Sequence, residues 1–209
     1  VTLGTFLIGA SFIGADWQAG TLAGLLLVEP RRRRVVAVKA LVLALGVAAF
    51  TVVFFALAIG GYATIAATRG ILTGTTDGVV LSALLTAARG VGLAAGAALG
   101  GFALAGIFRR TSGALGLAIA YVVLGESLLR SSWDQAPVWL VSTRVAAWLQ
   151  GGYDVPVQEC RTTAEMGYQC AYFGTTVPIS TGDAAWHLGA LVALAVIGFV
   201  AVFNRRDVT

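Results

Sequence analysis

Long apolar runs, separated by short clusters of charged residues, make up most of the chain. A helix needs about 20 apolar residues to cross a hydrocarbon core of about 30 Å. Four runs reach this length: residues 40–61, 90–108, 111–129 and 184–203. Residues 1–15 form a fifth run that covers only about 22 Å at 1.5 Å per residue, and we interpret it as the end of a truncated span. The pattern predicts an all-α membrane protein, a polytopic transmembrane helical bundle that forms a single domain over residues 1–209.

Two features of the middle of the chain have alternative interpretations. The connection from Tyr62 to Arg89 is weakly apolar, and its stretch Val79 to Leu85 either extends the next helix or lies along the membrane interface. In the span that follows, Gly92, Gly96 and Gly100 recur at four-residue spacing. This spacing either places three small residues on one face for close helix packing or reflects a general richness in glycine.

Composition agrees with a bilayer as the solvent, since 58% of the residues are hydrophobic, 11% are charged and the mean hydropathy is +0.87. A soluble globular protein carries about 25% charged residues. Lys and Arg in short loops are retained on the cytoplasmic side of a membrane. Nine of the 14 basic residues lie in three clusters at alternate ends of the spans: Arg31 to Arg34 with Lys39, Arg109 with Arg110, and Arg205 with Arg206. We therefore expect a multi-pass cell-membrane protein with a cytoplasmic C-terminus, a long outer loop over residues 131–183 before the last span, and no nucleic-acid partner.

The cytoplasmic connection before the first whole span has the pattern of a short helix. Asp16 is placed to cap its first turn, and Pro30 ends it. Leu22, Leu25 and Leu26 share one face by helical spacing. The same segment is also compatible with an interfacial connector whose arginines bind anionic lipid headgroups.

Several motifs together resemble the type-2 ABC exporter permeases. The coupling-helix region of that family has an acidic residue, Gly-Thr-Leu, Leu-Leu, a Pro, an Arg-rich turn and then a Lys. Here these are Asp16, Gly20, Thr21, Leu22, Leu25, Leu26, Pro30, Arg31 to Arg34 (Arg33 among them) and Lys39. The C-terminal Arg205-Arg206-Asp207 is similar to the family's ending, and Pro137 to Gly151 resembles the loop before its last span. The resemblance covers nearly the whole chain in order, although many members have Glu in place of Asp16.

This resemblance implies the permease subunit of an ATP-driven exporter, with a second permease copy, two ABC ATPase subunits and the lipid bilayer as its partners. Residues 16–39 would be the coupling segment that seats in a groove of the ATPase. Members of the family have six spans, so we expect this chain to lack the first span and part of the second. The sequence contains no Gly-x-x-x-x-Gly-Lys-Ser/Thr motif. ATP and Mg²⁺ are therefore expected on the partner, and this chain is expected to have no cofactor, no metal site and no catalytic residue. A lipid, a drug or another amphipathic molecule would suit its apolar spans as the substrate.

Cys160 and Cys170 are the only cysteines, and both lie in the predicted outer loop. An oxidising compartment favours a disulfide between them. Two free thiols or a metal pair are the alternatives, and the metal pair is the weaker because no His lies nearby.

Glu126 is the one acidic residue inside a predicted span. An unpaired acid in the bilayer costs on the order of 3 kcal/mol, so we expect Glu126 to face protein or a water-filled cavity. Arg89 and Arg130 are its candidate partners in a structural ion pair, and a role in substrate passage is the alternative.

Three other function classes fit the sequence less well. A secondary transporter needs ionisable groups in mid-span, where only Glu126 is available. An intramembrane hydrolase or metalloenzyme has little chemistry to use, since His187 is the only histidine and neither His-Glu-x-x-His nor Gly-x-Ser-x-Gly occurs. A non-transporting membrane scaffold or assembly subunit stays the main alternative, and co-purification of an ATPase separates it from the exporter.

Overall fold

The computed structural model describes residues 1–28, 31–70, 77–132, 135–157, 159–163, 167–171 and 176–205. Its helices and strands follow one another along the chain in this order: α1 Thr2–Gln18, α2 Thr21–Val28, α3 Arg32–Arg69, α4 Asp77–Phe108, α5 Thr111–Ala120, a π-helix Tyr121–Gly125, α6 Glu126–Ser132, α7 Ala136–Trp139, α8 Val141–Gln150, β1 Tyr153–Pro156, β2 Glu159–Thr163, β3 Gly167–Ala171, β4 Thr176–Ile179 and α9 Thr181–Arg205.

Four helical stretches are long and apolar enough to cross a membrane: Arg32–Arg69, Gly78–Phe108, Thr111–Ser132 and Thr181–Arg205. They include the four predicted runs, so the expectation of a helical membrane protein is confirmed at this level. Each helix is as long as its run or longer, because a charged side chain ends an apolar run without breaking a helix. The stretch Val79 to Leu85 belongs to α4, so it extends that helix.

Glycine ends several of the helices. Gly70 follows α3 with φ +70° and Gly151 follows α8 with φ +86°. Both donate their backbone N–H to a carbonyl four residues earlier, to Ala66 and Ala147 respectively. This left-handed cap favours a residue without a Cβ atom.

The chain forms two compact units, residues 1–115 with 191–209 and residues 116–190. In the first unit α4 packs against α1 and α3. Its core contains many alanines together with large aromatic side chains, of which Phe102 and Phe199 are fully buried, their ring centroids 5.5 Å apart in an edge-to-face arrangement. The sequence predicts that residues 1–209 form a single domain, and this stays a prediction.

Helices α1 and α4 approach each other at the level of the backbone. A Cβ atom at Gly9 would collide with the carbonyl of Ala98, and one at Gly101 would collide with the carbonyl of Phe6. The three glycines at four-residue spacing do not make this contact: Gly100 has open space around it, Gly96 has only an ordinary contact with a side chain, and Gly92 is exposed. The close contact on α4 is made by Ala98 and Gly101 instead.

The second unit contains structure that the sequence analysis did not predict. Strands β1 and β4 pair antiparallel, with Tyr153 opposite Ile179. Strands β2 and β3, which lie between β1 and β4 in the sequence, form a second antiparallel pair. A small buried cluster of Ala147, Val155, Ile179 and Ala184 joins α8, the β1–β4 pair and the start of α9. The long loop before the last span is therefore partly helical and partly stranded.

The start of α9 is closed by a capping box. The Ser180 hydroxyl accepts a hydrogen bond from the Asp183 backbone N–H at 3.1 Å. The Asp183 carboxylate in turn accepts hydrogen bonds from the Ser180 hydroxyl at 2.7 Å and the Ser180 backbone N–H at 3.4 Å. Two otherwise unpaired groups at the end of this helix are thereby satisfied.

Candidate functional site

The junction between α1 and α2 turns at Gly20, whose φ is +67°. Asp16 therefore lies in the last turn of α1, and α2 begins only at Thr21. The prediction that Asp16 caps the first turn of the short helix is wrong for this reason. Gly20 adopts the left-handed conformation that ends helices, which separates Asp16 from the helix it was expected to start.

Asp16 is nevertheless the centre of the polar contacts at this junction. One carboxylate oxygen accepts a hydrogen bond from the Thr21 hydroxyl at 2.9 Å. The other is 2.8 Å from the ammonium nitrogen of Lys39. The three residues form what we call the Asp16 cluster, which links the end of α1, the start of α2 and the first part of α3.

The ion pair of the Asp16 cluster is largely shielded from solvent. The side chains of Lys39 and Asp16 are 18% and 19% exposed. The Lys39 ammonium also lies 5.4 Å from the centroid of the Phe12 ring, within cation–π distance. Removing either charge would leave the other partly buried without its partner, which is costly.

A second set of contacts supports the same end of the first unit. The Trp17 ring packs edge-to-face on Phe203, with centroids 6.0 Å apart, so the end of α1 contacts the end of α9. The Arg109 guanidinium lies 4.7 Å from the Trp17 ring centroid. Arg109 has φ +56°, the only positive φ among the non-glycine residues that the structure describes. The turn between α4 and α5 is thus joined to the helix that carries Asp16.

The remaining residues of the predicted coupling segment are less connected. Leu25 on α2 is 40% exposed and Arg33 is exposed. Pro30 and the side chains of Leu22 and Leu26 lie outside the described residues. The structure therefore brings together Asp16, Thr21 and Lys39 of the predicted set, with Gly20 forming the turn between the first two.

Glu126 has a backbone partner in the second unit. Its carboxylate accepts a hydrogen bond from the backbone N–H of Ser142 at 3.0 Å, in the first turn of α8. Leu140, which precedes that helix, has no side chain able to cap it. Glu126 therefore supplies both the acceptor and the negative charge that a helix N-terminus favours. No ion pair between Glu126 and Arg130 occurs among the described residues. The pairing of Glu126 with Arg89 stays a prediction.

Cys160 and Cys170 are Cα partners in the register of the β2–β3 pair. Paired residues in an antiparallel ladder have Cα atoms about 4.5–5.5 Å apart, inside the range of about 4.4–6.8 Å that a disulfide requires. Their side chains are outside the described part of the structure, so the disulfide stays a prediction.

An aromatic and basic cluster in the second unit had no counterpart in the sequence analysis. His187 lies 6.0 Å from Trp139, ring centroid to centroid, and the Arg144 guanidinium lies 5.5 Å from the same Trp139 ring. Arg144 is 7% exposed, and its Nε atom has no hydrogen-bond partner among the described residues. No spacing rule connects these positions, because they come from α7, α8 and α9.

Comparison of the chain with models of known protein families found no match, and neither the curated proteins nor the solved structures gave one. Within the described residues, no group of three His, Cys, Asp or Glu side chains is close enough to hold a metal ion. The case for a function therefore depends on the sequence motifs and on the geometry of the Asp16 cluster. That geometry is mechanical: it fixes a short helix between two longer ones.

Proposed function

We propose that this chain is the permease subunit of an ATP-driven ABC exporter, which moves an amphipathic molecule such as a lipid or a drug out of the cytoplasm. A separate ATPase subunit would hydrolyse ATP and contact the α2 segment. The observation that carries the proposal is the Asp16 cluster. Its Asp16, Thr21 and Lys39 are three residues of the motif in which the chain resembles the coupling region of such permeases, and their contacts join α2 to α1 and α1 to α3.

The packing of the first unit supports a mechanical role for α2. This helix contacts both α1 and α3. Helix α1 in turn contacts α4 through its backbone. The Ala98 carbonyl lies against Gly9, and the Phe6 carbonyl lies against Gly101. A displacement of α2 by a partner would be passed to three helices as a rigid movement, because the backbones of α1 and α4 touch at these two positions.

In this proposal the Asp16 cluster and the C-terminus face the cytoplasm. Two basic positions support that orientation: Arg109 contacts Trp17, and Arg32 donates a hydrogen bond to the Phe203 carbonyl at 3.2 Å. The start of α3, the turn after α4 and the end of α9 thus lie at one end of the first unit, and each carries or adjoins one of the three basic clusters of the sequence. This is the arrangement that the retention of basic residues on the cytoplasmic side favours.

A charge swap tests the coupling role. Asp16→Lys and Lys39→Asp each leave two like charges at a partly buried site, whereas the double variant restores an opposite pair. We expect each single variant to lower permease-stimulated ATP hydrolysis about tenfold, since a lost charged hydrogen bond costs about 1.5–3 kcal/mol. The double variant should recover most of the rate. The measurement uses proteoliposomes that contain the full chain and the ABC ATPase subunit that co-purifies with it.

Arg69→Glu is the matched control, because it reverses one exposed charge at the other end of the helix that carries Lys39. It should leave the ATPase rate unchanged. Normal rates in both single variants would show that the Asp16 cluster does not couple. If no ATPase subunit assembles with the unmodified chain, the exporter proposal is wrong and the scaffold alternative replaces it.

A further inference from the structure

Arg144, on α8, is a buried cation without a polar partner. Its side chain is 7% exposed, and its Nε atom makes no hydrogen bond among the residues that the structure describes. Burying a charge without a hydrogen-bonded group of opposite charge is costly. Arginine is for this reason almost never fully buried unless it is paired. In the part of the chain that the structure describes, Arg144 departs from this rule.

Two carboxylates lie near α8, and both are bonded to other groups. Asp183 is near enough for its charge to interact with Arg144, but its carboxylate accepts hydrogen bonds from the Ser180 hydroxyl and backbone N–H. Glu126 accepts its hydrogen bond from the Ser142 backbone N–H. Neither acid forms an ion pair with Arg144 within the described residues. The guanidinium therefore keeps N–H donors for an acceptor that these residues do not supply.

The contact that Arg144 does make is with an aromatic ring. Its guanidinium lies 5.5 Å from the ring centroid of Trp139, within cation–π distance. His187 lies against the same ring, with centroids 6.0 Å apart. A cation–π contact does not use the N–H groups of the guanidinium for hydrogen bonds to an acceptor. A carboxylate fits those groups, because it can accept two parallel hydrogen bonds from one arginine.

The surroundings of Arg144 indicate what kind of carboxylate fits. One cation balances one negative charge, whereas a phosphate group on a single ester bond carries about −1.5 to −2. Trp139 is 53% exposed, so it offers apolar surface directly beside the cation. A molecule with one carboxylate joined to an apolar chain satisfies both the charge and the ring.

We propose that Arg144, Trp139 and His187 form a binding site for a monocarboxylate with an apolar chain, such as a fatty acid. The carboxylate pairs with the Arg144 guanidinium, and the chain lies on the exposed part of the Trp139 ring. The imidazole of His187 adds a further N–H donor beside the same ring. The proposal does not depend on the exporter function, since all three residues belong to the second unit and neither α2 nor an ATPase takes part.

Native mass spectrometry of the full chain in detergent tests the proposal, with dodecanoate as the probe. Dodecanamide, which has the same chain without the charge, is titrated in parallel. We expect dodecanoate to bind about tenfold more tightly, because hydrogen bonds between charged groups are the stronger ones. Arg144→Met keeps an unbranched side chain but removes the charge, so it should abolish this difference. Arg130→Met, which removes an exposed arginine of the same unit, should leave the difference unchanged.

Thermal unfolding of the same variants separates a binding role from a structural one. A ligand that binds the folded state stabilises it. Dodecanoate should therefore raise the Tm of the unmodified chain and of Arg130→Met, but not the Tm of Arg144→Met. Without ligand, Arg144→Met should be at least as stable as the unmodified chain, since replacing a buried charge by an apolar group of similar size is often neutral or stabilising.

Four results would overturn the proposal. Equal binding of dodecanoate and dodecanamide would show that the site does not select a carboxylate. Unchanged dodecanoate binding in Arg144→Met would place the ligand elsewhere. A large loss of stability in ligand-free Arg144→Met would show that the fold itself already satisfies this charge. Tighter binding of dodecyl phosphate than of dodecanoate would assign the cation to a phosphate group.

Discussion

The two units stabilise their helices in different ways. In the first, Gly101 lies against the Phe6 carbonyl and Phe102 packs on Phe199, so the helices are held by close packing. In the second, the Glu126 carboxylate satisfies the start of the ten-residue helix α8 with a polar group. The difference follows from helix length. A long span pairs nearly all of its own backbone, and its association depends on packing, whereas a helix of 4, 7 or 10 residues has most of its backbone groups near an end.

The largest expected effect concerns the covalent link in the second unit. If Cys160 and Cys170 are joined, reduction opens an 11-residue ring and costs about 3 kcal/mol in the chain-entropy model. Mass spectrometry of the non-reduced protein should show the linked peptide. Protease digestion should cut the β2–β3 region faster after reduction, while the first unit, which has no cysteine, stays uncut. Complete alkylation of both thiols without reductant would contradict the prediction.

The close approach of α1 and α4 gives the next largest effect. Gly101→Ala adds a methyl group that collides with the Phe6 carbonyl oxygen. The substitution should destabilise the first unit by about 2 kcal/mol. Gly100→Ala is the matched control, since the same methyl group enters open space at the adjacent position. Unfolding in mixed detergent micelles measures both. Equal stabilities would mean that the packing of the first unit is looser than its geometry indicates.

The smallest effect tests the helix cap of the second unit. Glu126→Ala removes the acceptor of the Ser142 N–H and should cost about 1 kcal/mol, the value of a helix cap. Hydrogen exchange at the start of α8 should accelerate about fivefold, since 1.4 kcal/mol is a factor of ten. Ser131→Ala, which removes an exposed hydroxyl bound only within its own helix, is the control. Unchanged exchange would show that Glu126 does not cap α8 and would favour a role in substrate passage.

The sequence was sufficient to predict the helices that can cross a membrane, because apolar length is a property of single segments. The uncharged run 90–108 begins only after Arg89 and is shorter than α4, which begins at Asp77. The alternative in which Val79 to Leu85 extends this helix is confirmed, although the sequence did not decide for it. Of the two interpretations of Gly92, Gly96 and Gly100, the packing face is wrong, since the close contact on α4 involves Ala98 and Gly101. Periodicity in one helix cannot determine which face meets a neighbour, so Gly101 was missed although Gly100 was considered.

The candidate site was predicted in part for a similar reason. Asp16, Thr21 and Lys39 were chosen through a family motif, and the structure brings them together. The role given to Asp16 was wrong because Gly20 was assigned to the helix interior, although a glycine after an apolar run is a common helix end. Arg109 and Phe203 could not be found from spacing, since each meets Trp17 from a distant part of the chain.

The π-helix at Tyr121–Gly125 makes this part of the chain tolerant of a change in its length. A π-turn holds more residues than an α-turn, so a single-residue deletion there can be absorbed by conversion to regular α-helix. The residues after the turn would then keep their helix face, and the Glu126 carboxylate would still reach the Ser142 N–H. A single-residue deletion from a regular α-helix has no such reserve and rotates everything after it by about 100°. A related chain that is one residue shorter in this stretch should therefore keep its acid at the same place in the structure, and an alignment that ignores the gap would pair the wrong residues.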